Sequence, residues 1–241
     1  MQQDAGPGFT ITRCLVTPES TLPAARSVFS KDLRSELRTR YALNALVMFV
    51  ITTISIILFA IGNETPSPEI LSGVFWIIVF FSAMSGLSRT FIAEEERGTV
   101  MTLQLVASPI SVFAGKLMFN LVLLSALNLC SAILYLAVIT NFSVQNVPLF
   151  AATLALGTLG LATASTIIAA IISKANTKGT LYPVLSFPIL LPLLLSVIDA
   201  TKKAVEGAAF AEAIGDVQVL VSYIVVISVV SYLLFEFVWR E

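Results

Sequence analysis

VPLFAATLALGTLGLATASTIIAAII, residues 147–172, carries no charged side chain from end to end. Crossing about 30 Å of hydrocarbon takes about 20 helical residues, so this run is long enough to span a bilayer with some tilt. Its apolar residues are continuous, without the strict alternation of a membrane barrel strand. The backbone must therefore satisfy its hydrogen bonds within the segment, as a helix does.

Working outward, five further runs of this kind occur at roughly 41–61, 69–92, 110–140, 180–199 and 217–238. The chain of 241 residues is 57% hydrophobic and only 12% charged, with a mean hydropathy of +0.93. Soluble domains carry about a quarter charged residues, so a soluble fold is excluded. The reading is an all-α, polytopic membrane protein with six transmembrane helices. The third run exceeds one crossing, so either it tilts or part of it, around Ser108 to Lys116, lies along the membrane interface, and Pro109 near its start favours the interface.

Basic residues orient the bundle. With the N-terminus inside, 12 of the 14 Lys and Arg residues fall on the cytoplasmic side and only Lys202 and Lys203 on the other. Both termini are thus expected in the cytoplasm, across a bacterial inner membrane. Residues 1–23 contain Pro7, Pro18 and Pro23 and no apolar core, unlike a secretory signal. They read as a disordered cytoplasmic leader, or as the product of a start codon set too far upstream. From 24 to 40, Val28, Phe29, Leu33 and Leu37 recur at near-helical spacing among Arg26, Lys31, Arg34, Glu36, Arg38 and Arg40. That pattern fits either an amphipathic helix on the inner leaflet or an extension of the first span. The membrane domain then covers 24–241.

Charge is absent from the centre of all six runs. Ion-coupled carriers generally hold an intramembrane ionisable group, so energy is expected to arrive from outside the membrane. Asp199, Glu236, Arg89 and Lys116 lie toward span ends, from which long side chains reach headgroups or water. The chain has no histidine, which removes the commonest metal ligand and haem axial ligand. No metal site, no catalytic residue and no enzyme activity are predicted, and no nucleic-acid partner. Asn120, Asn128, Ser131, Thr153, Thr158, Thr163, Ser165 and Thr166 read chiefly as helix-packing and interhelical hydrogen-bonding residues. Pro183, Pro188 and Pro192 in the fifth run are expected to bend that helix.

Between the second and third runs the chain reads RTFIAEEERGTVMTLQLVASPIS over 89–111, followed by Gly115-Lys116. Three successive carboxylates, Glu94, Glu95 and Glu96, are costly beside anionic lipid unless they find water or a cation. Thr99 is placed to cap a short helix bearing Met101, Leu103, Leu105 and Val106. A short helix with apolar and acidic faces beneath the membrane is a docking element.

The acidic run, Gly98-Thr99, the Leu-bearing helix, Ser108-Pro109-x-Ser111 and Gly115-Lys116 resemble the cytoplasmic coupling segment of ABC-2-type exporter permeases. The resemblance implies that segment 93–108, with Glu94, Glu95, Glu96, Arg97, Gly98, Thr99 and Leu103, fits a groove on a separate ATP-binding subunit. This chain has no complete phosphate loop of its own. A closer resemblance, from about Ala25 onward, is to the CcmB family. It rests on the basic leading helix, Gly73-x-x-Trp76, Arg89-x-Phe91, Gly98-Thr99, Gly157-Thr158 and Phe187-Pro188-x-x-x-Pro192. That family is the permease of the haem-exporter complex in cytochrome c maturation. The likeness implies an A-type ATPase, a haem-handling C-type membrane subunit, a small accessory subunit, two permease copies and contact with membrane lipid. Haem would be handled by the complex, with no cofactor bound by this chain. A generic ABC-2-type permease for lipid, polysaccharide or drug is the alternative. The long leader, Arg97 before the glycine and the charged 199–216 loop depart from the family pattern.

Overall fold

The computed structural model describes residues 21–39, 41–87, 90–91, 94, 98–174 and 181–240. Eight α-helices are resolved among them: α1 (Thr21–Thr39), α2 (Tyr41–Ile61), α3 (Pro68–Leu87), α4 (Val100–Val106), α5 (Pro109–Val138), α6 (Val147–Ser173), α7 (Leu181–Glu206) and α8 (Ile214–Arg240). A 3-10 turn, Phe210–Ala213, leads into α8. Six of the helices are long and apolar enough to cross a membrane, in agreement with the six runs of the sequence.

Helix starts follow from local chemistry. The Ser108 side chain accepts from Ser111 N, with Pro109 in the first turn. Asn146 accepts from Leu149 N at 3.1 Å, with Pro148 in the first turn. In both cases a polar cap satisfies an orphan amide, and proline occupies a position where no amide is needed. Gly62, with φ of 54°, follows the end of α2, and Gly207, with φ of 78°, follows α7, both in the left-handed region that side chains with a Cβ resist.

Helix α6 is the axis of the bundle, with 78% of its spanning stretch buried against 17% for α2 and 11% for the last span. It packs chiefly on α7 and α8, then on α5. Its glycines are seats for neighbouring side chains. A Cβ on Gly157 would stand 2.3 Å from the Trp76 ring, and one on Gly160 would stand 2.5 Å from Leu193 Cδ1. Met48, Phe59, Val225 and Phe237, on α2 and α8, are exposed, as expected of side chains that meet lipid tails.

Polar contacts between helices are few and specific. Trp76 Nε1 donates to Thr201 Oγ1 at 2.8 Å, Tyr135 OH donates to the Leu71 carbonyl at 2.9 Å, and Asn128 Nδ2 donates to Thr158 Oγ1 at 2.8 Å. These join α3 to α7, α3 to α5 and α5 to α6. Thr153 and Thr163 instead donate to carbonyls of their own helix.

Three expectations change. Residues Ser108 to Lys116 are not an interfacial piece: Pro109–Val138 is one continuous helix of 30 residues, about 45 Å long, and Ser111, Val112, Gly115 and Lys116 are buried within the protein. Lys116 does not reach for headgroups, being only 2% exposed. The 199–216 segment is mostly ordered helix. Lys203 pairs with Asp199 at 2.9 Å and Asp216 at 2.7 Å, Lys202 reaches Glu69 at 3.3 Å, and Asn146 N and Nδ2 donate to the Ala204 and Ala208 carbonyls. Residues 1–20 of the expected leader, and Arg40, lie outside the described residues.

Pro188 and Pro192 lie inside one uninterrupted helix, Leu181–Glu206. Both are exposed on the outside of the bundle. The side chain of Pro183 lies outside the described residues. The Tyr223 hydroxyl of α8 donates to the Ile189 carbonyl at 3.0 Å, which ties α8 to α7 in this region.

Candidate functional site: an ionic node under the amphipathic helix

At the end of the bundle where most basic residues gather, α1 lies across the first two turns of α5. Ala25 and Val28 are buried in this contact. Gly115 admits them, since a Cβ there would stand 2.7 Å from both the Ala25 carbonyl oxygen and Val28 Cβ. Helix α1 makes far more contact with α5 than with α2, so it is an element docked on the bundle and not a prolongation of the first span.

One helical turn beyond Val28, α1 presents Asp32 to α5. Lys116 Nζ lies 2.9 Å from Asp32 Oδ2, 3.0 Å from Glu94 Oε1 and 3.0 Å from the Thr90 carbonyl oxygen. Lys31 Nζ caps the cluster from the solvent side, donating to Glu94 Oε1 and standing 3.4 Å from Asp32. The Thr99 hydroxyl donates to Glu94 Oε2, and its amide donates to the Glu94 carbonyl at 3.1 Å. Two cations and two anions thus balance, with Lys116, Asp32 and Glu94 largely shut from water and Lys31 reaching them from solvent, the pairing that buried charges require. Burial alone raises the Glu94 pKa, but the Lys116 charge and the hydrogen bonds from Lys31, Thr99 and Lys116 outweigh it and hold the carboxyl down to about 2.

The node continues into the membrane. The Thr90 hydroxyl donates to Asn120 Oδ1 at 2.9 Å, and Asn120 Nδ2 donates to Thr166 Oγ1 at 2.8 Å on α6. An unbroken series of polar contacts therefore runs from α1 through Lys116, Thr90 and Asn120 to the central helix. Beside it, Lys116 Nζ lies 5.7 Å from the Phe91 ring centre, within the range of a cation–π contact. Phe91 in turn meets Phe235 at 5.8 Å and Trp239 at 6.4 Å, which brings in the end of α8.

Of the residues singled out from the sequence, Glu94 is 6% exposed and points into the protein. It is not available on a docking surface, because Lys116, buried beside it, requires a carboxylate partner. Glu95, Glu96, Arg97 and Arg89 lie outside the described residues. Gly98 has φ of 66°, which lets the chain turn sharply into α4. Thr99 occupies the cap position without a side-chain cap bond, its hydroxyl being committed to Glu94. Leu103 is half-buried against the core, whereas Met101 and Leu105 are 78% and 87% exposed. Sequence reasoning missed Asp32, Thr90 and the Thr90–Asn120–Thr166 path. The available signal for Asp32 was an acid one turn from Val28 on the packed face of α1.

A six-span helical bundle with a short helix exposing Met101 and Leu105 at its basic end defines a polytopic membrane protein. Sequence comparison is specific about which: the profile of the family described as CcmB protein matches residues 23–239, and the chain belongs to that family. Two relatives, each named Heme exporter protein B, are similar along most of their length. The one from Rhodobacter capsulatus is 24% identical over 188 residues, covering 76% of this chain and 85% of the relative. The one from Bradyrhizobium diazoefficiens is 24% identical over 187 residues, covering 77% and 84%.

Proposed function

We propose that this chain is the membrane permease of an ATP-driven haem exporter serving cytochrome c biogenesis, with both termini on the cytoplasmic side of a bacterial inner membrane. The observation that carries the ATP-driven part is α4: Met101 and Leu105 stand exposed, four residues apart on one face of a short helix, at the end where 12 of 14 basic residues would be cytoplasmic. The haem assignment rests on the printed names of the two relatives.

In this reading a separate ATP-binding subunit seats α4 in a groove and pushes it when nucleotide closes the ATPase. Thr99, next to α4, transmits the push to Glu94. Glu94 passes it through Lys116 to α1 and α5, and the Thr90–Asn120–Thr166 bonds carry it to α6. A haem-handling membrane subunit and a small accessory subunit complete the assembly, with two copies of this chain. Haem is cargo and not a resident group, and with no histidine in the chain its iron is left to other subunits.

The test is co-purification of a tagged chain from cells expressing the whole gene cluster, comparing wild type with M101D/L105D. The expected result is an inserted, stable permease that no longer retains the ATPase and no longer supports c-type cytochromes. Retention of the ATPase together with normal cytochrome levels would overturn the docking assignment. Co-isolation of the wild type with an ATPase alone, and never with a haem-handling subunit, would favour a generic exporter instead.

A further inference from the structure

Where α3, α5 and α6 meet, three polar side-chain atoms find no hydrogen-bond partner among the described residues: Ser82 Oγ, Asn128 Oδ1 and Ser131 Oγ. None of the three residues is more than 1% exposed. Such atoms are costly inside a membrane bundle, because lipid tails and apolar side chains cannot supply the missing bond.

The packing of the helices brings the three together. On α5, Ser131 stands three residues from Asn128 and four from Tyr135, so all three share one face. On α3, Ser82 shares a face with Phe75 and Gly86, seven and four residues away. These two faces meet at two levels. The Phe75 and Tyr135 rings lie 5.4 Å apart, and a Cβ on Gly86 would stand 3.9 Å from Leu127 Cδ1. The helices are therefore antiparallel, and seven residues along each from the Phe75–Tyr135 pair bring Ser82 opposite Asn128. Asn128 Nδ2 is committed to Thr158 Oγ1 of α6 at 2.8 Å. The Thr158 hydroxyl donates to the Leu154 carbonyl, so it has no proton left for Asn128 Oδ1.

Polar groups that face one another beyond direct bonding distance are bridged by water, and a buried water makes about three bonds to groups otherwise unsatisfied. We propose that Ser82, Asn128 and Ser131 bind one buried water molecule, which donates to Asn128 Oδ1 and exchanges hydrogen bonds with the two hydroxyls. It links α3 to the Asn128–Thr158 bond and so joins three helices inside the membrane. Toward the α5–α6 turn the site is closed by the rings of Phe75, Tyr135, Phe142 and Phe150. Toward the ionic node it is closed by Leu124, one turn away on α5 and fully buried. The site belongs to this chain alone and does not depend on what energises the transporter.

The experiment uses the full-length chain in nanodiscs and two readouts. X-ray footprinting makes hydroxyl radicals from a bound water where it sits, so the buried Tyr135 beside Ser131 is expected to be labelled in wild type and unlabelled in S82A/S131A. In reversible unfolding, S82A and S131A are each expected to shift the equilibrium about fivefold toward the unfolded state. The double variant should shift it by less than the product of the two, because both changes remove the same water. An unlabelled Tyr135 in wild type would overturn the site. So would an unchanged or more favourable equilibrium in S131A, the result for a dry atom whose deletion costs nothing. A loss in S82A alone would assign a direct bond between Ser82 and Asn128 and overturn the water as well.

Discussion

Replacing Glu94 by Gln removes one charge from a buried set in which Lys116 is held by Glu94 at 3.0 Å and Asp32 at 2.9 Å. The neutral amide leaves Lys116, 2% exposed, with a single counter-charge. The Glu94 carboxyl titrates near 2 in the fold against an ordinary value of 4.5. That difference corresponds to about 3 kcal/mol of stability at neutral pH, and breaking a buried pair from one side costs a similar ~3–5 kcal/mol. Folding lowers this pKa, so the stabilisation is complete above about 4.5 and is lost as pH falls from there through about 2. At pH 3 the wild type should already have lost about 2 kcal/mol of it. The assay is reversible unfolding in mixed micelles followed by the fluorescence of Trp76 and Trp239, at pH 7 and pH 3. E94Q is expected to lose about 3 kcal/mol at pH 7 and to be flatter than wild type toward acid. Carboxylates outside the node are common to both proteins and cancel in the difference. A loss at pH 7 under ~0.5 kcal/mol, the size of an ordinary surface change, would refute the node. So would a wild-type acid slope in E94Q. The double change E94Q/K116M sharpens the comparison: it should cost less than the sum of the two single changes, because the second removes the cation that the first strands.

Gly115→Val should lift α1 from α5, because its Cβ would meet the Ala25 carbonyl oxygen and Val28 Cβ at 2.7 Å. A loss of about 1–3 kcal/mol with faster proteolysis at Arg26 and Arg34 is the expected outcome, and unchanged proteolysis would argue that α1 is not docked. Asn120→Leu deletes both the bond from Thr90 and the bond to Thr166. Interhelical hydrogen bonds in membranes are worth about 0.6–1.7 kcal/mol each, so a loss of about 1–3 kcal/mol in the same micelle assay is expected.

The spans were legible because hydrocarbon thickness leaves a coarse and sequence-wide signature: the expected run at 147–172 is the helix Val147–Ser173, and that at 41–61 is Tyr41–Ile61. The cap and proline that start α5 at Ser108-Pro109 are visible in the sequence, but read alone they signal an interfacial piece. What escaped was the packing of one helix on another. Nothing in the hydropathy of residues 109–116 says that a second helix covers them, and without that cover a lysine near a span end is correctly read as reaching for water. The acidic run was similarly read as one surface, whereas Glu94 turns inward because the cation that it neutralises lies 22 positions further along the chain.

Gly115 and Lys116 are adjacent and act as one device. The glycine lacks the Cβ that would stand 2.7 Å from the Ala25 carbonyl oxygen and Val28 Cβ, and beside this close approach Lys116 is shut away from water. Shut in, the lysine requires its carboxylates: Asp32 comes from the helix that does the covering, and Glu94 from the segment that leads into α4. Neither leaves without cost, since withdrawing α1 removes Asp32 from Lys116, withdrawing the 90–99 segment removes Glu94, and either way the buried lysine keeps a single counter-charge. Under the proposed coupling, a force applied at α4 would have no inexpensive way to slide past α1 and α5 and would move them together.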